Sequence, residues 1–200
     1  MRYNIAIDGP AGAGKSTIAK RLAKELGAIY VDTGAMYRAV ALYLQKKGID
    51  GTDSQAVADH CQEAEVSIRY EDGEQLVILN GENVNACIRT EEVGNMASKT
   101  SANPAVRAHL LNLQRNLAEK NNVVMDGRDI GTCVLPDADV KVYLTASSAV
   151  RAKRRYNELK EKGTDCDLDE IEKDIIERDY RDMHRETSPL KQADDAVLLD

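Results

Sequence analysis

The sequence predicts an α/β fold: a parallel sheet of about five strands wrapped by helices, with a small antiparallel β insertion. Short apolar runs alternate with segments of helical period, one strand-to-helix junction is rich in glycine, and a single stretch changes to period two.

The first run, Tyr3 to Ile7, stops at a glycine-rich turn, and Lys15 to Leu26 then carries apolar residues at helical spacing. A second strand, Ala28 to Val31, leads into a helix whose inner stripe is Met36, Val40, Tyr43 and Leu44. Val123 to Met125, Val140 to Leu144 and Ala196 to Leu199 complete the sheet, each apolar throughout as strands buried on both faces are. Val66 to Tyr70 and Gln75 to Leu79 alternate instead, and the second runs into Asn80-Gly81, a hairpin signal, so an antiparallel insertion is expected there. The polar stretch Glu158 to Asp169 reads as a solvent-exposed helix-loop-helix, a segment type from which both mobile lids and plain helical hairpins are built.

Composition narrows the classes. The chain has 200 residues, 42% hydrophobic and 30% charged, as in one globular domain, and no apolar run approaches the roughly 18 residues of a membrane span. The start, Met1 to Asn4 followed by a short run broken at Asp8, resembles no export signal, so a cytoplasmic location is expected. Cys61, Cys87, Cys133 and Cys166 form no CxxC pair and are read as plain thiols. A formal net charge of −7 argues against general nucleic-acid binding, while a local arginine cluster can still hold a small anion.

The glycine-rich turn carries the chemistry. Gly9-Pro10-Ala11-Gly12-Ala13-Gly14-Lys15-Ser16 matches G-x-x-x-x-G-K-[ST] between a strand and a helix, the phosphate loop of nucleoside triphosphate enzymes. Backbone N–H groups there turn toward phosphate oxygens and the helix end adds its dipole; Lys15 supplies charge to the β and γ phosphates, and the Ser16 hydroxyl suits Mg²⁺. Such a loop names a nucleotide and leaves the reaction open among a switch NTPase, a kinase of a small acceptor, and a binding module. The guanine-reading N-K-x-D is absent from the sequence, and Asp126-Gly127-Arg128-Asp129 puts a carboxylate at a strand end with two further charges behind it. Arg38 and Arg128 fall near the carboxyl ends of strands, where ligands of α/β sheets bind. Arg178, Asp182 and Arg185 share a helical face, a spacing that an exposed ion-pair ladder would share.

Five stretches together resemble the bacterial cytidylate kinases: Ile7 to Thr17, Asp32-Thr33-Gly34-Ala35-Met36-Tyr37-Arg38, Ile88 to Val93, Asp126 to Thr132, and Glu177-Arg178-Asp179 with Arg181-Asp182. The resemblance runs through essentially the whole chain, and the β insertion at Val66 to Asn85 corresponds as well. It implies Mg-dependent phosphoryl transfer from ATP to CMP or dCMP by a monomer in pyrimidine nucleotide metabolism. It implies a single domain with a core (about 1–35, 105–150 and 186–200), an acceptor-binding region (about 36–104), and a lid with its following helix (about 151–185). By position, Gly9 through Thr17 bind ATP, including Ala13 and Thr17. Thr33 and Asp182 resemble ribose contacts with Arg178 beside them; Ser98, Arg107 and Asp129 resemble groups that meet cytosine; Arg38, Arg128 and Arg185 resemble the phosphate holders. Lys15, Arg128 and the lid arginines Arg151, Arg154 and Arg155 resemble the catalytic set. The family runs on beyond Val197-Leu198-Leu199-Asp200 into a last helix covering one side of the sheet, so an exposed apolar face is expected here.

Overall fold

A computed structural model describes residues 2–200. Five parallel strands, β1 (Asn4–Asp8), β2 (Ile29–Asp32), β6 (Val123–Gly127), β7 (Val140–Leu144) and β8 (Val197–Leu199), lie in the order β2-β6-β1-β7-β8. Between β2 and β6 the chain builds α2 (Thr33–Lys46), α3 (Ser54–His60), a separate antiparallel sheet of β3 (Val66–Glu71), β4 (Glu74–Leu79) and β5 (Glu82–Asn83), then α4 (Glu91–Thr100) and α5 (Pro104–Lys120). α1 (Lys15–Leu26) follows β1, and α6 (Ser148–Glu161) and α7 (Leu168–His184) form a helical arm after β7.

Alternation along each strand divides the apolar residues between the two faces of the sheet. Ala6, Val31 and Met125 join Met36, Val40, Val106 and Leu110 of α2 and α5 on one side. Ile5, Ile7, Tyr30 and Val124 join Ala19 and Ala23 of α1 on the other. The insertion belongs to the first core, because Val77, Leu79 and Val84 are buried within it, and each such side chain withdrawn from water contributes about 1.5–3 kcal/mol.

The expectation that all five strands are buried on both faces needs correction at the edge. Val197, Leu198 and Leu199 of β8 are 58%, 54% and 44% exposed, because β8 pairs only with β7 and no described element packs over it. That agrees with the apolar face expected from the resemblance. Lys141 breaks the apolar run of β7, and its ammonium group meets Asp195 at 2.8 Å. All four cysteines are free, and among the described residues no helix is long and apolar enough to cross a membrane.

Register brings the functional ends of the strands together. Asp8 lies beside Gly127, and Asp32 beside Asp126, so the carboxyl ends of β1, β2 and β6 form one row beneath the loops. A row of this kind is where α/β sheets bind ligands.

Candidate active site

The phosphate loop is shaped by what surrounds it. A Cβ on Gly9, at φ 147°, would lie 1.9 Å from the carbonyl oxygen of Leu144 on the neighbouring strand, so only glycine fits there. Lys15 folds back over the loop, is 6% exposed, and donates from Nζ to the carbonyl of Pro10 at 2.8 Å. Burial together with the nearby Arg128 charge pulls its pKa down to about 7, although Asp126 and Asp8 act the other way. Phosphate oxygens would reverse the balance, because an opposite charge favours the ammonium form.

Ser16 Oγ donates to Asp126 Oδ2 at 2.7 Å, which ties the loop to the end of β6. Burial, with the Asp32 carboxylate near, lifts the pKa of Asp126 to about 6. This pair of oxygen donors at a buried, under-neutralised carboxylate fits a hard divalent cation.

Beyond the loop a cavity of about 650 Å³ runs between the sheet end, α2, α4 and α7. Every acceptor residue implied by the resemblance lines it: Thr33, Arg38, Ser98, Arg107, Arg128, Asp129, Arg178, Asp182 and Arg185. The ladder reading of α7 therefore gives way, since Asp182 is buried and bonded to Arg128 at 2.9 Å instead of facing solvent. Burial acts to raise the Asp182 pKa, but the Arg128 charge and hydrogen bond win and hold it below the usual value. Arg178 is pulled down to about 10 by burial and by its neighbour Arg128.

The cavity has two chemically different ends. At one, Arg38 donates to the carbonyl of Ile88 at 3.1 Å, and Arg89 pairs with Asp32 at 2.7 Å. At the other, Arg107 and Asp129 form a buried ion pair, with the Arg107 guanidinium 5.3 Å from the ring centroid of Tyr37. Arg185 belongs to this second end: its guanidinium lies 3.8 Å from Asp129 and 3.9 Å from Asp182. The resemblance grouped it with Arg38 and Arg128. A third fact marks the whole cavity. Among the described residues six buried side-chain atoms lack a hydrogen-bond partner, and four of them, Ser98 Oγ, Arg107 Nε, Arg178 Nε and Arg185 Nη2, belong to its lining. Buried polar atoms rarely stay unpaired, so this clustering points to a polar ligand.

The three arginines of α6 do not behave alike. Arg151 is buried, donates to the carbonyls of Ala146 and Ala11, and is held by both carboxylate oxygens of Asp179. Arg155 lines the cavity, 3.6 Å from Glu158, and the Arg154 guanidinium reaches to 3.9 Å from where a Cβ on Gly14 would stand. Of the phosphate loop, Ala11, Gly12, Lys15 and Ser16 border the cavity, while Gly9, Pro10, Ala13, Gly14 and Thr17 do not.

Four contributors escaped the reading by motif and spacing: Asp8, the Asp32 side chain, Tyr37 and Arg89. Two of the parallel strands at the site end in aspartate, Asp8 before Gly9 and Asp32 before Thr33, and β6 carries Asp126 just before its terminal Gly127, which is the signal that was available for the two carboxylates. A Cβ on Gly127 would lie 2.6 Å from Ile130 Cδ1 and 2.8 Å from Thr33 Oγ1, so glycine lets these site elements approach.

A phosphate loop ahead of a parallel sheet, facing an arginine-lined cavity for a second anion, defines a P-loop phosphotransferase for a small acceptor. The family model described as Cytidylate kinase matches residues 5–200. The chain is 53% identical over 196 residues to a cytidylate kinase of Lactobacillus gasseri, covering 98% of this chain and 85% of that protein. It is 50% identical over 199 residues to one of Caldicellulosiruptor bescii, covering 100% and 88%, and 49% identical over 202 residues to one of Streptococcus mutans, covering 100% and 89%. The chain belongs to the cytidylate kinase family.

Proposed function

We propose that this protein transfers the terminal phosphoryl group of ATP to CMP or dCMP, with Mg²⁺, through the residues gathered around the cavity. The observation that carries the acceptor assignment is the buried Arg107–Asp129 pair with the unpaired Ser98 Oγ, Arg107 Nε and Arg185 Nη2 around it, a set that a base edge can engage. Cytosine offers an amino donor at C4 and an acceptor at N3, and uracil offers the reverse. A carboxylate only accepts and a guanidinium only donates, so Asp129 and Arg107 complement cytosine and oppose uracil, while the Ser98 hydroxyl adapts to either.

The attacking group needs no general base. A phosphate monoester has a second pKa near about 6 and is mostly dianionic at neutral pH. The three histidines lie elsewhere, bonded to Glu63, to the carbonyl of Ala64 and to the carbonyl of Tyr180. The difficulty is the approach of two polyanions, since unit charges about 4 Å apart repel by about 4 kcal/mol at an effective dielectric near 20. Lys15 neutralises the donor phosphates, Arg38 and Arg128 the acceptor phosphate, and Arg154 and Arg155 supply further charge from the arm. Ser16 and Asp126 would hold Mg²⁺, which when bound withdraws charge from the phosphate oxygens. Arg151 anchors the arm and the loop, since its hydrogen-bonding capacity is taken up by Asp179 and two carbonyls.

An ADP-release assay across the four nucleoside monophosphates tests this reading. CMP should be used far better than UMP. Asp129→Ala should lower kcat/KM for CMP much more than for UMP, whereas Arg38→Ala should lower both alike through the shared phosphate. Equal use of CMP and UMP by the unmutated protein would overturn the assignment of the base-reading end. The same assay separates a kinase of another acceptor, and a binding module without turnover, from this reading.

A further inference from the structure

Asp8 ends β1 one residue before the phosphate loop, is 5% exposed, and does not line the cavity. Both its oxygens are used: Oδ1 accepts from the N–H of Ile130 at 2.8 Å and Oδ2 from the N–H of Gly131 at 2.7 Å. Those N–H groups open the single π-helical turn Ile130–Val134, and the first donors of any helical turn have no partner inside it. The ordinary remedy is local: the residue at the N-cap folds its own side chain back onto them. Here the N-cap residue is Asp129, whose side chain makes no such bond. Its carbonyl oxygen does accept from Cys133 at 2.8 Å and Val134 at 3.1 Å, so its backbone serves as a cap while its carboxylate pairs with Arg107.

We infer that Asp8 is a positioning residue for base recognition, capping the turn from a distance so that the Asp129 carboxylate is released from capping and presented with Arg107 to the acceptor base. The inference rests on the reading of the Arg107–Asp129 end given above. Two further observations fit it. Gly131 leaves the carboxylate room, because a Cβ there would meet Lys141 Cδ at 3.1 Å and Asp8 Oδ2 at 3.4 Å. Burial, with the Asp129 charge adding to it, pushes the Asp8 pKa up to about 6, and the hydrogen bonds from Gly131 and Ile130 work against that rise. The carboxylate is thus held in place by the turn it caps.

An asparagine at this position offers one acceptor oxygen, and its amide nitrogen would meet a backbone N–H, donor against donor. The vacated cap then draws the Asp129 carboxylate back onto its own turn and away from Arg107. The test measures kcat/KM for CMP and for UMP, and KM for ATP, in the unmutated protein, Asp8→Asn, Asp129→Ala and the double variant. Asp8→Asn should narrow the CMP-to-UMP ratio by about tenfold or more, a part of the roughly 10⁴ that a hydrogen-bonding site can supply; any change in KM for ATP, through the loss of the Asp8 charge near Lys15, falls on both acceptors alike and leaves that ratio untouched. The double variant should show no further narrowing beyond Asp129→Ala, because both changes act on one carboxylate. An equal fall for CMP and UMP in Asp8→Asn, or additive narrowing in the double variant, would make the cap merely structural and overturn the inference. Should Asp8→Asn not fold, Asp8→Glu keeps two acceptor oxygens on a longer arm and is read by the same ratio; failure of both to fold also overturns it. Absence of CMP preference in the unmutated protein strikes the proposed function itself and so is distinguishable.

Discussion

The three-stranded insertion and the arm of α6 and α7 stand at the same site and are fastened to the core by opposite means. The insertion is held by uncharged bonds to the edge strand β2: Gln75 accepts from the N–H of Asp32 at 2.8 Å and donates to the Asp32 carbonyl at 3.2 Å, and the Tyr70 hydroxyl donates to the Tyr30 carbonyl at 3.0 Å. Its apolar face is continuous with the main core. The arm buries little, with Arg151 and Ala152 from α6 and Asp182 from α7, while Ile176, Tyr180 and Met183 stay exposed. It is fastened by Arg151 to Asp179 within itself and to the Ala11 carbonyl of the loop, and by Asp182 to Arg128. Arg128 lines the cavity and also bonds Asp182, so an anion that drew its charge would compete with the arm's attachment. The insertion has no such dependence. One wall of the site is therefore part of the core, and the other answers to charge.

The largest effect expected from this difference is at Asp179. Asp179→Ala leaves the Arg151 guanidinium buried with only carbonyl partners, and an ion pair broken in this way costs about 3 kcal/mol or more. Urea unfolding should show that loss, and turnover should fall with it, because Arg151 also braces the phosphate loop at Ala11. A loss below about 1 kcal/mol, the range of surface pairs, would mean that the arm is not ionically anchored.

Gln75→Ala probes the other wall and should cost less. It strips partners from the N–H and the carbonyl of Asp32, one of the nearly buried residues of the edge strand, at about 2 kcal/mol. Turnover at saturating substrates should stay close to normal, since α2 remains capped by the Asp32 side chain, which accepts from Ala35 at 2.9 Å. A fall in kcat as deep as that of Asp179→Ala would erase the distinction between a passive wall and a responsive one.

These attachments explain how far the sequence could be read. The strands, the phosphate loop and the β insertion were legible because each rests on local periodicity or turn chemistry; of the acceptor residues lining the cavity, Arg38 and Arg128 could be singled out by their place at strand ends, and the others only through resemblance to a family. The Arg178, Asp182 and Arg185 spacing gives a helical face but not what that face meets, so an exposed ladder and a cavity wall looked alike. Asp8 was invisible as a cap because its partners lie 122 and 123 residues away. The exposure of β8 was hidden from the apolar pattern for a related reason, since an apolar run reads the same in a central strand and at an uncovered edge, and it was expected only through the resemblance.

Acid should separate the two walls by a smaller amount. Asp182 is pressed upward by burial but held below its ordinary 3.8 by Arg128, with Arg178 and Arg185 also facing it. A carboxyl group with a depressed native pKa contributes stability that is present above the unfolded value and is lost as pH falls through the native one. The arm's hold on Arg128 should accordingly fade below about pH 4. Gln75 does not ionise, and burial raises the Tyr70 pKa, so the insertion's bonds to β2 are untouched in that range, and among its described attachments to the core only the exposed Glu74–Lys20 pair carries a carboxylate. Global stability would blur this contrast. Asp8 and Asp126, each raised to about 6, run the opposite way and add stability as pH falls from 6 toward 3.8. Hydrogen exchange resolved by segment avoids the cancellation: between about pH 5 and about pH 3, protection factors in α7 should drop severalfold more than those in β4. Equal losses in the two segments would show that both walls are fastened by the same titrating groups, contrary to the bonds that hold them.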